Sequence, residues 1–234
     1  MNKDLLKCIT AYNEYGGYCI PKSSEHCPAA QTVINGNVYE PDTISYLLDE
    51  TEDGDIIHAG AFYGDFIPAL SQKFKHVWAF EPNYENYRCS RVTVEINNIK
   101  NVSLFNSGLS NEKGEVYLRN MEPNGNALGG GSMLLPKGEK NIPWDYVEKV
   151  RVVPVGKIVP PSRHVSAIQL DVEGHEKNAL QGAIDIIERC KPVIIVEVWS
   201  NNNVLNSEWL KENIFPLGYE VVKEVHDNKV LRVK

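Results

Sequence analysis

Between residues 55 and 199, short apolar runs alternate with stretches of helical period, and that alternation leaves few folds open. DIIHAG (55–60), HVWAFE (76–81), NVSLFN (101–106), VSAIQLDV (165–172) and PVIIVEVW (192–199) read as strands. Phe66, Leu70 and Phe74 recur at i, i+4, i+8 and predict a helix over 66–74. Asn83 is an N-cap candidate for a helix running to Asn97, with Tyr84, Tyr87 and Val94 on one face. Ala179, Leu180, Ala183, Ile184 and Ile187 predict another helix, stopped before Pro192. Strands alternating with helices imply right-handed crossovers and a parallel sheet covered on both faces. The nearly unbroken apolar run 193–198 suits a strand buried on both sides. YEVVKEV (219–225) and KVLRV (229–233), joined by His226-Asp227-Asn228, predict a closing antiparallel hairpin. The fold class is α/β, a doubly wound sheet, mostly parallel, with helices on both faces.

Two regions fall outside the alternation. Periodicity is weak before Thr43–Leu48, so residues 1–40 read as a helical or irregular N-terminal cap. Residues 119–150 hold Gly125, Gly129, Gly130, Gly131 and Gly138 with Pro123, Pro136 and Pro143, and read as a lid-like insertion. KVRVVPV (149–155) is expected to return to the sheet edge. The whole, 1–234, reads as one domain.

Lys plus Arg number 24 and Asp plus Glu 31, so the formal charge is 24 − 31 = −7. Without a basic run the chain lacks the footprint of phosphate-backbone binding, which argues against nucleic acid as a partner. The first residues lack the apolar core of a secretory leader, and Val193–Trp199 is far too short to span a bilayer. A cytoplasmic protein without a membrane span is expected. The five cysteines are scattered, and Cys19, His26 and Cys27 lack a fourth ligand, so they read as reduced thiols and not as a zinc knot.

Ligands of open parallel sheets sit beyond the carboxyl ends of the strands. After the first such strand comes Gly60-Ala61-Phe62-Tyr63-Gly64, where Gly60 permits a tight turn and Gly64 lets the next helix pack closely. The spacing is GxxxG, not the GxGxxG that cradles a pyrophosphate. The second strand ends in Glu81-Pro82, 21 residues after Gly60, where a carboxylate is suited to accept both ribose hydroxyls. A helix-start carboxylate is the structural alternative. Taken together, loop and acid point to a nucleoside.

These blocks resemble class I S-adenosylmethionine-dependent methyltransferases, and more closely their FkbM-type branch. GAFYG (60–64), EP (81–82), LSNEKGEVYL (109–118), DVEGHE (171–176) and PVIIVEVW (192–199) stand in that branch's order. His58, Phe62 and Gly156-Lys157-Ile158 depart from the branch, which there usually has Asp, often Asn, and commonly a Leu-Asp pair. The resemblance implies a Rossmann-like methyltransferase sheet and S-adenosyl-L-methionine as cofactor. It implies that the His58–Gly64 segment, through Gly60, Ala61 and Phe62, lines the methionine part. Glu81 and Pro82 would hold the ribose, Asn106 and Ser107 would flank the adenine, and Ser132 of the Gly130-Gly131-Ser132 loop would close nearby. Asp171 would face the methyl group and the acceptor.

A sulfonium is a leaving group good enough for in-line displacement, so the protein's work is alignment plus removal of the acceptor's proton. Asp171, Glu173 and His175 are the candidates for that work, with Glu197 also near a strand end. Asp171 and Glu173, two apart on an extended segment, would face one side, where they could raise one another's pKa or, with His175, hold a divalent metal. The bland alternative leaves Glu173 and Glu176 capping the next helix and His175 solvated. Trp144 is the tryptophan best placed for an acceptor, and Tyr12, Tyr15 and Tyr18 either line its mouth or pack the cap. The expected activity is O-methylation of a hydroxyl on a sugar, glycan or small natural product. The alternatives are a non-catalytic methyltransferase-like binding protein, or a nicotinamide-dependent oxidoreductase that would need GxGxxG and a catalytic Tyr/Lys or His pair.

Overall fold

The computed structural model describes residues 5–136, 138, 139, 144–198 and 204–234. The N-terminal segment folds as a hairpin, β1 (Cys8–Asn13) and β2 (Gly16–Pro21), followed by α1 (Pro28–Ile34) and α2 (Pro41–Asp49). The alternating region supplies β3 (Asp55–Ala59), α3 (Ile67–Lys73), β4 (His76–Phe80), α4 (Tyr84–Ile96) and β5 (Val102–Phe105). Then come β6 (Gly108–Leu109), β7 (Gly114–Arg119), β8 (Met133–Leu134) and β9 (Val147–Val153). The chain continues with β10 (Val165–Leu170), α5 (Glu176–Gly182), α6 (Ile184–Cys190), β11 (Val193–Glu197), α7 (Glu208–Asn213), β12 (Tyr219–Val225) and β13 (Asn228–Val233). Trp199 and Pro143 lie outside the described residues.

Among the described residues, a seven-stranded sheet runs in the order β12-β13-β11-β10-β3-β4-β5. The five strands from β11 to β5 are parallel, and β13 adds antiparallel to β11. Period-two alternation sends Ile57, Ala59, Ile168, Leu170, Ile194 and Val196 to one face, against Leu180, Ile187 and Leu210 of the helices α5, α6 and α7. Ile56, Ala167 and Ile195 go to the other, against Ile44, Leu47 and Leu70 of α2 and α3. With apolar helices on both sides, these strands have no polar face, which is why they read as apolar runs.

Four expectations need correction. KVRVVPV does not return to the main sheet: β9 lies inside a second sheet, ordered β6-β9-β7-β8. Its burial alternates, with Val150 and Val152 buried and Lys149 and Arg151 out, the pattern of a strand covered on one face only. The N-terminal cap, expected to be helical or irregular, opens with a regular hairpin. That hairpin docks on α4, where the Asn97 side chain clamps Gly17, accepting from its N–H at 2.9 Å and donating to its carbonyl at 2.6 Å. The buried face of α4 is consequently Asn86, Cys89, Ser90 and Thr93, while Tyr84 is exposed. The helix after β10 is split at Ala183 into α5 and α6, and at the end of α5 Gly182 passes so close to the Ser110 carbonyl that a Cβ there would stand 2.1 Å from its oxygen.

Candidate active site

β3 ends at Ala59, and the chain turns sharply at Gly60, whose φ is +86°. A Cβ there would stand 1.8 Å from the carbonyl oxygen of Asp171, so glycine is required both by conformation and by space. The Gly60 and Ala61 N–H groups both donate to the Phe80 carbonyl at 3.1 Å, tying the loop to the end of β4. Phe62 takes a left-handed conformation at φ +46°, which aims its N–H at Glu81.

Glu81 is buried and accepts from the Phe62 N–H (2.8 Å) with one oxygen and the Asn83 N–H (2.7 Å) with the other. Burial pushes its carboxyl up to about 8, against the pull of those two donors toward the charged form. Asn83 also caps α4, accepting from the N–H groups of Glu85 and Asn86. Asn106 donates to the carbonyls of Glu81 and Pro82 at 3.0 and 2.9 Å, so its amide braces the Glu81-Pro82 turn.

A cleft opens above this turn, with Gly60, Glu81, Pro82 and Asp171 on its walls. Gly108, Leu109, Leu118 and Leu134 form an apolar side, and Gly129, Gly130 and Ser132 close it. Ser132 donates to the Gly129 carbonyl at 2.8 Å, and Gly129 is pressed against Phe62 and Cys27. Of the residues singled out from sequence, Gly60, Glu81, Pro82, Ser132 and Asp171 line the cleft. Ala61, Phe62, Gly64 and Ser107 are outside its lining: Phe62 packs against Gly129 and Gly130, Gly64 against Ser90 and Thr93 of α4, and Ala61 and Ser107 are buried.

His58 is not brought there. It lies buried, stacked on Phe66 at 5.6 Å between centroids, with Nδ1 2.5 Å from Gln169 Oε1. Burial lowers its pKa to about 4 and keeps the ring neutral. Tyr18 is core, hydrogen-bonded to Asn13, while Tyr12 is exposed. Trp144 is exposed beside Tyr117, away from the cleft lining.

At the acid end, the carboxylates of Asp171, Glu173 and Glu197 each offer an oxygen, and these oxygens all lie within 4.8 Å of one another. Glu173 reaches the group from a left-handed position, φ +52°. Burial first, then Glu197, pushes Glu173 up to about 7, and the same causes raise Asp171 well above the usual carboxylate range. His175 turns away, its Nε2 3.2 Å from Ser110 Oγ, and burial lowers its pKa. It lines a neighbouring cleft with Asn111 and Asn178. The carboxylate trio therefore has Glu197 where the sequence spacing suggested His175. Leu118, Leu134 and Gly108 are walls that the sequence reading does not single out, and the period-two pattern of 114–119 is the one signal that bears on them.

A doubly wound sheet with a glycine turn after its first strand, a buried acid after its second and an acid after its fourth defines the Rossmann-like methyltransferase class. Residues 58–220 match the family model described as the methyltransferase FkbM domain, and the chain belongs to that family. A curated relative, the hexuronic acid methyltransferase AglP of Haloferax volcanii, is 27% identical over 158 residues. The match takes in 67% of this chain and 61% of that relative's length. Among solved structures, methyltransferase FkbM of Methylobacillus flagellatus is similar at TM-score 0.51 and 18% identity, over 77% of this chain and 43% of that one. The 16S rRNA methyltransferase RsmC of Thermus thermophilus shares the fold at TM-score 0.52 and 12% identity, over 97% and 50%. Among the described residues no helix is long and apolar enough to cross a membrane.

Proposed function

We propose that the protein transfers a methyl group from S-adenosylmethionine to a hydroxyl of a neutral sugar, glycan or small natural product. One observation carries this reading: a buried carboxylate, Glu81, with both oxygens oriented by backbone N–H groups on the wall of a cleft that Asp171 also lines. The residues fit the cofactor. Each Glu81 oxygen spends one lone pair on an N–H and keeps another for a ribose hydroxyl. Gly108, Leu109, Leu118 and Leu134 suit a flat purine, and the acid end suits a cation.

The bound cofactor would supply an activated methyl group and a neutral leaving sulfur. Gly60 lets the backbone approach the ligand, and Ser132 and Gly130 wall off water. Asp171, with Glu173 beside it, takes the acceptor's proton, while His175 holds Ser110. The curated relative's name specifies a hexuronic acid, which is anionic. Here, among the described residues, the cleft lining contributes no Lys or Arg and its acid end gathers three carboxylates, which favours a neutral acceptor. Acceptor choice falls to residues 1–40 and 119–150, within a single domain. The test is turnover of methyl-labelled S-adenosylmethionine against neutral and uronic-acid oligosaccharides. Label appearing on the neutral set supports the reading, and transfer confined to uronic acids overturns the neutral-acceptor claim.

A further inference from the structure

Three stretches of chain that wall the cleft continue into a second groove. Gly108 and Leu109 line the cleft, and residues 110–116 line the groove. Ser132 and Leu134 line the cleft, and Leu134, Leu135 and Pro136 the groove. Asp171 and Val172 line the cleft, and Gly174 and His175 the groove. Glu173, of the carboxylate trio, is the residue at which one lining passes to the other. The groove therefore adjoins the cleft beside the acids that would receive the acceptor's hydroxyl.

Part of the groove is a chain of hydrogen bonds between uncharged side chains. Ser110 Oγ donates to Asn111 Oδ1 at 3.2 Å, and Asn178 Nδ2 donates to the same oxygen at 3.4 Å. With its O–H spent on Asn111, Ser110 accepts from His175 Nε2 at 3.2 Å. A neutral imidazole has one N–H, so Nδ1 of His175 is an acceptor. Among the described residues, that nitrogen, the Asn111 amide nitrogen and Asn178 Oδ1 have no hydrogen-bond partner. One network thus fixes an acceptor, a donor and a second acceptor, the combination that suits hydroxyls, which both donate and accept. Val116, Leu135, Pro136 and Val152 add an aliphatic part that suits the C–H face of a sugar ring. The charged lining is Lys113 against Glu112 and Glu115, which offers a sugar carboxylate no net attraction.

We propose that this groove binds a neutral sugar unit adjoining the one that is methylated, so that the acceptor is a glycan chain and not a free monosaccharide. Asn111, His175 and Asn178 then join residues 119–150 in choosing the acceptor. Calling the bound chain a methyl acceptor rests on the methyl-transfer reading, whereas capture of a sugar by the groove does not.

Amide NMR of the isotope-labelled full chain, titrated without cofactor, tests the groove directly. The probes are maltotriose, cellotriose and mannotriose as neutral chains, and trigalacturonic acid as the charged one. The side-chain amide signals of Asn111 and Asn178, assigned by their loss in Asn111→Ala and Asn178→Leu, should shift saturably with a neutral trisaccharide. Each substitution should weaken that binding about tenfold, the loss of one net hydrogen bond. Asn111 is exposed in the bend between β6 and β7, so its variant decides alone if Asn178→Leu does not fold. No shift of these signals with any neutral trisaccharide up to about 10 mM would overturn the proposal. So would unchanged affinity in both variants, or tighter binding of trigalacturonic acid. With methyl-labelled S-adenosylmethionine, kcat/KM for the bound trisaccharide should exceed that for its monosaccharide about tenfold, and equal values would overturn the chain-length claim. Failure of the methyl-transfer reading would instead appear as absent S-adenosylmethionine binding with the sugar-induced shifts intact.

Discussion

Replacing Glu81 by Gln separates what its charge does from what its shape does. The substitution keeps the size and one acceptor oxygen but turns the other into an amide donor. In wild type both oxygens accept, from Phe62 and Asn83 at 2.8 and 2.7 Å, and Glu81 lines the cleft. Losing one charge-assisted bond to a ribose hydroxyl, and weakening the other to a neutral one, costs about 3 kcal/mol. That is roughly a hundredfold in affinity. A second effect has the opposite dependence on conditions. The ligand-free carboxyl titrates at about 8, so at pH 7 roughly one molecule in ten presents the charged form, and by pH 9 about nine in ten do. Wild-type affinity should therefore tighten about tenfold from pH 7 to pH 9, while Glu81→Gln should be flat. The suitable probe is 5′-methylthioadenosine, which has the adenine and ribose but no amino group titrating in that range. Isothermal titration at both pH values reads the two effects, with urea unfolding to confirm that the variant is folded. Binding by Glu81→Gln within threefold of wild type, or a wild-type affinity unchanged between pH 7 and 9, would refute the assignment of Glu81 to the ribose.

Gly60→Ala should abolish nucleoside binding and lower stability by about 3 kcal/mol or more in urea unfolding, since the new Cβ meets the Asp171 carbonyl at 1.8 Å in a left-handed residue. Asn97→Ala should cost about 2 kcal/mol by the same assay, because it frees the Gly17 N–H and carbonyl and the Thr93 carbonyl. Arg163→Ala should cost roughly 3 kcal/mol, read by thermal melting, by leaving buried Asp55 without the guanidinium that meets both its oxygens at 2.6 Å. Trp144→Ala should change stability by less than about 0.5 kcal/mol, as befits a side chain 65% exposed.

The readable parts of the chain were those whose burial is set by a regular period. β3, β4, β10 and β11 announce themselves because both their faces are covered, and Asn83 because a side-chain cap precedes its helix. Gly60 and Glu81 were legible because a strand end fixes where they must stand. The hairpin β1–β2 is not, since β2 is buried at five consecutive positions, 17–21, with Tyr18, Cys19 and Ile20 in a cluster with Tyr63 and Cys89. The Asn97 amide and the Thr93 hydroxyl, which accepts from the Cys19 N–H at 3.0 Å, complete its docking. Burial of that kind leaves no period-two rhythm. The cleft's apolar wall was hidden for another reason: Leu118 and Leu134 come together through pairing of β7 with β8, across a segment without period. Replacement of His175 by Glu197 in the carboxylate trio follows from the register of β10 on β11, which spacing along the chain does not contain.

The central claim is that the cleft between Glu81 and Asp171 holds S-adenosylmethionine. Titration calorimetry of the intact chain with S-adenosylmethionine, run beside NAD, tests it most directly. Saturable one-to-one binding of S-adenosylmethionine, lost in Gly60→Ala and with no heat from NAD, is the predicted result. Absence of S-adenosylmethionine binding up to millimolar concentration, or tighter binding of NAD, would contradict it.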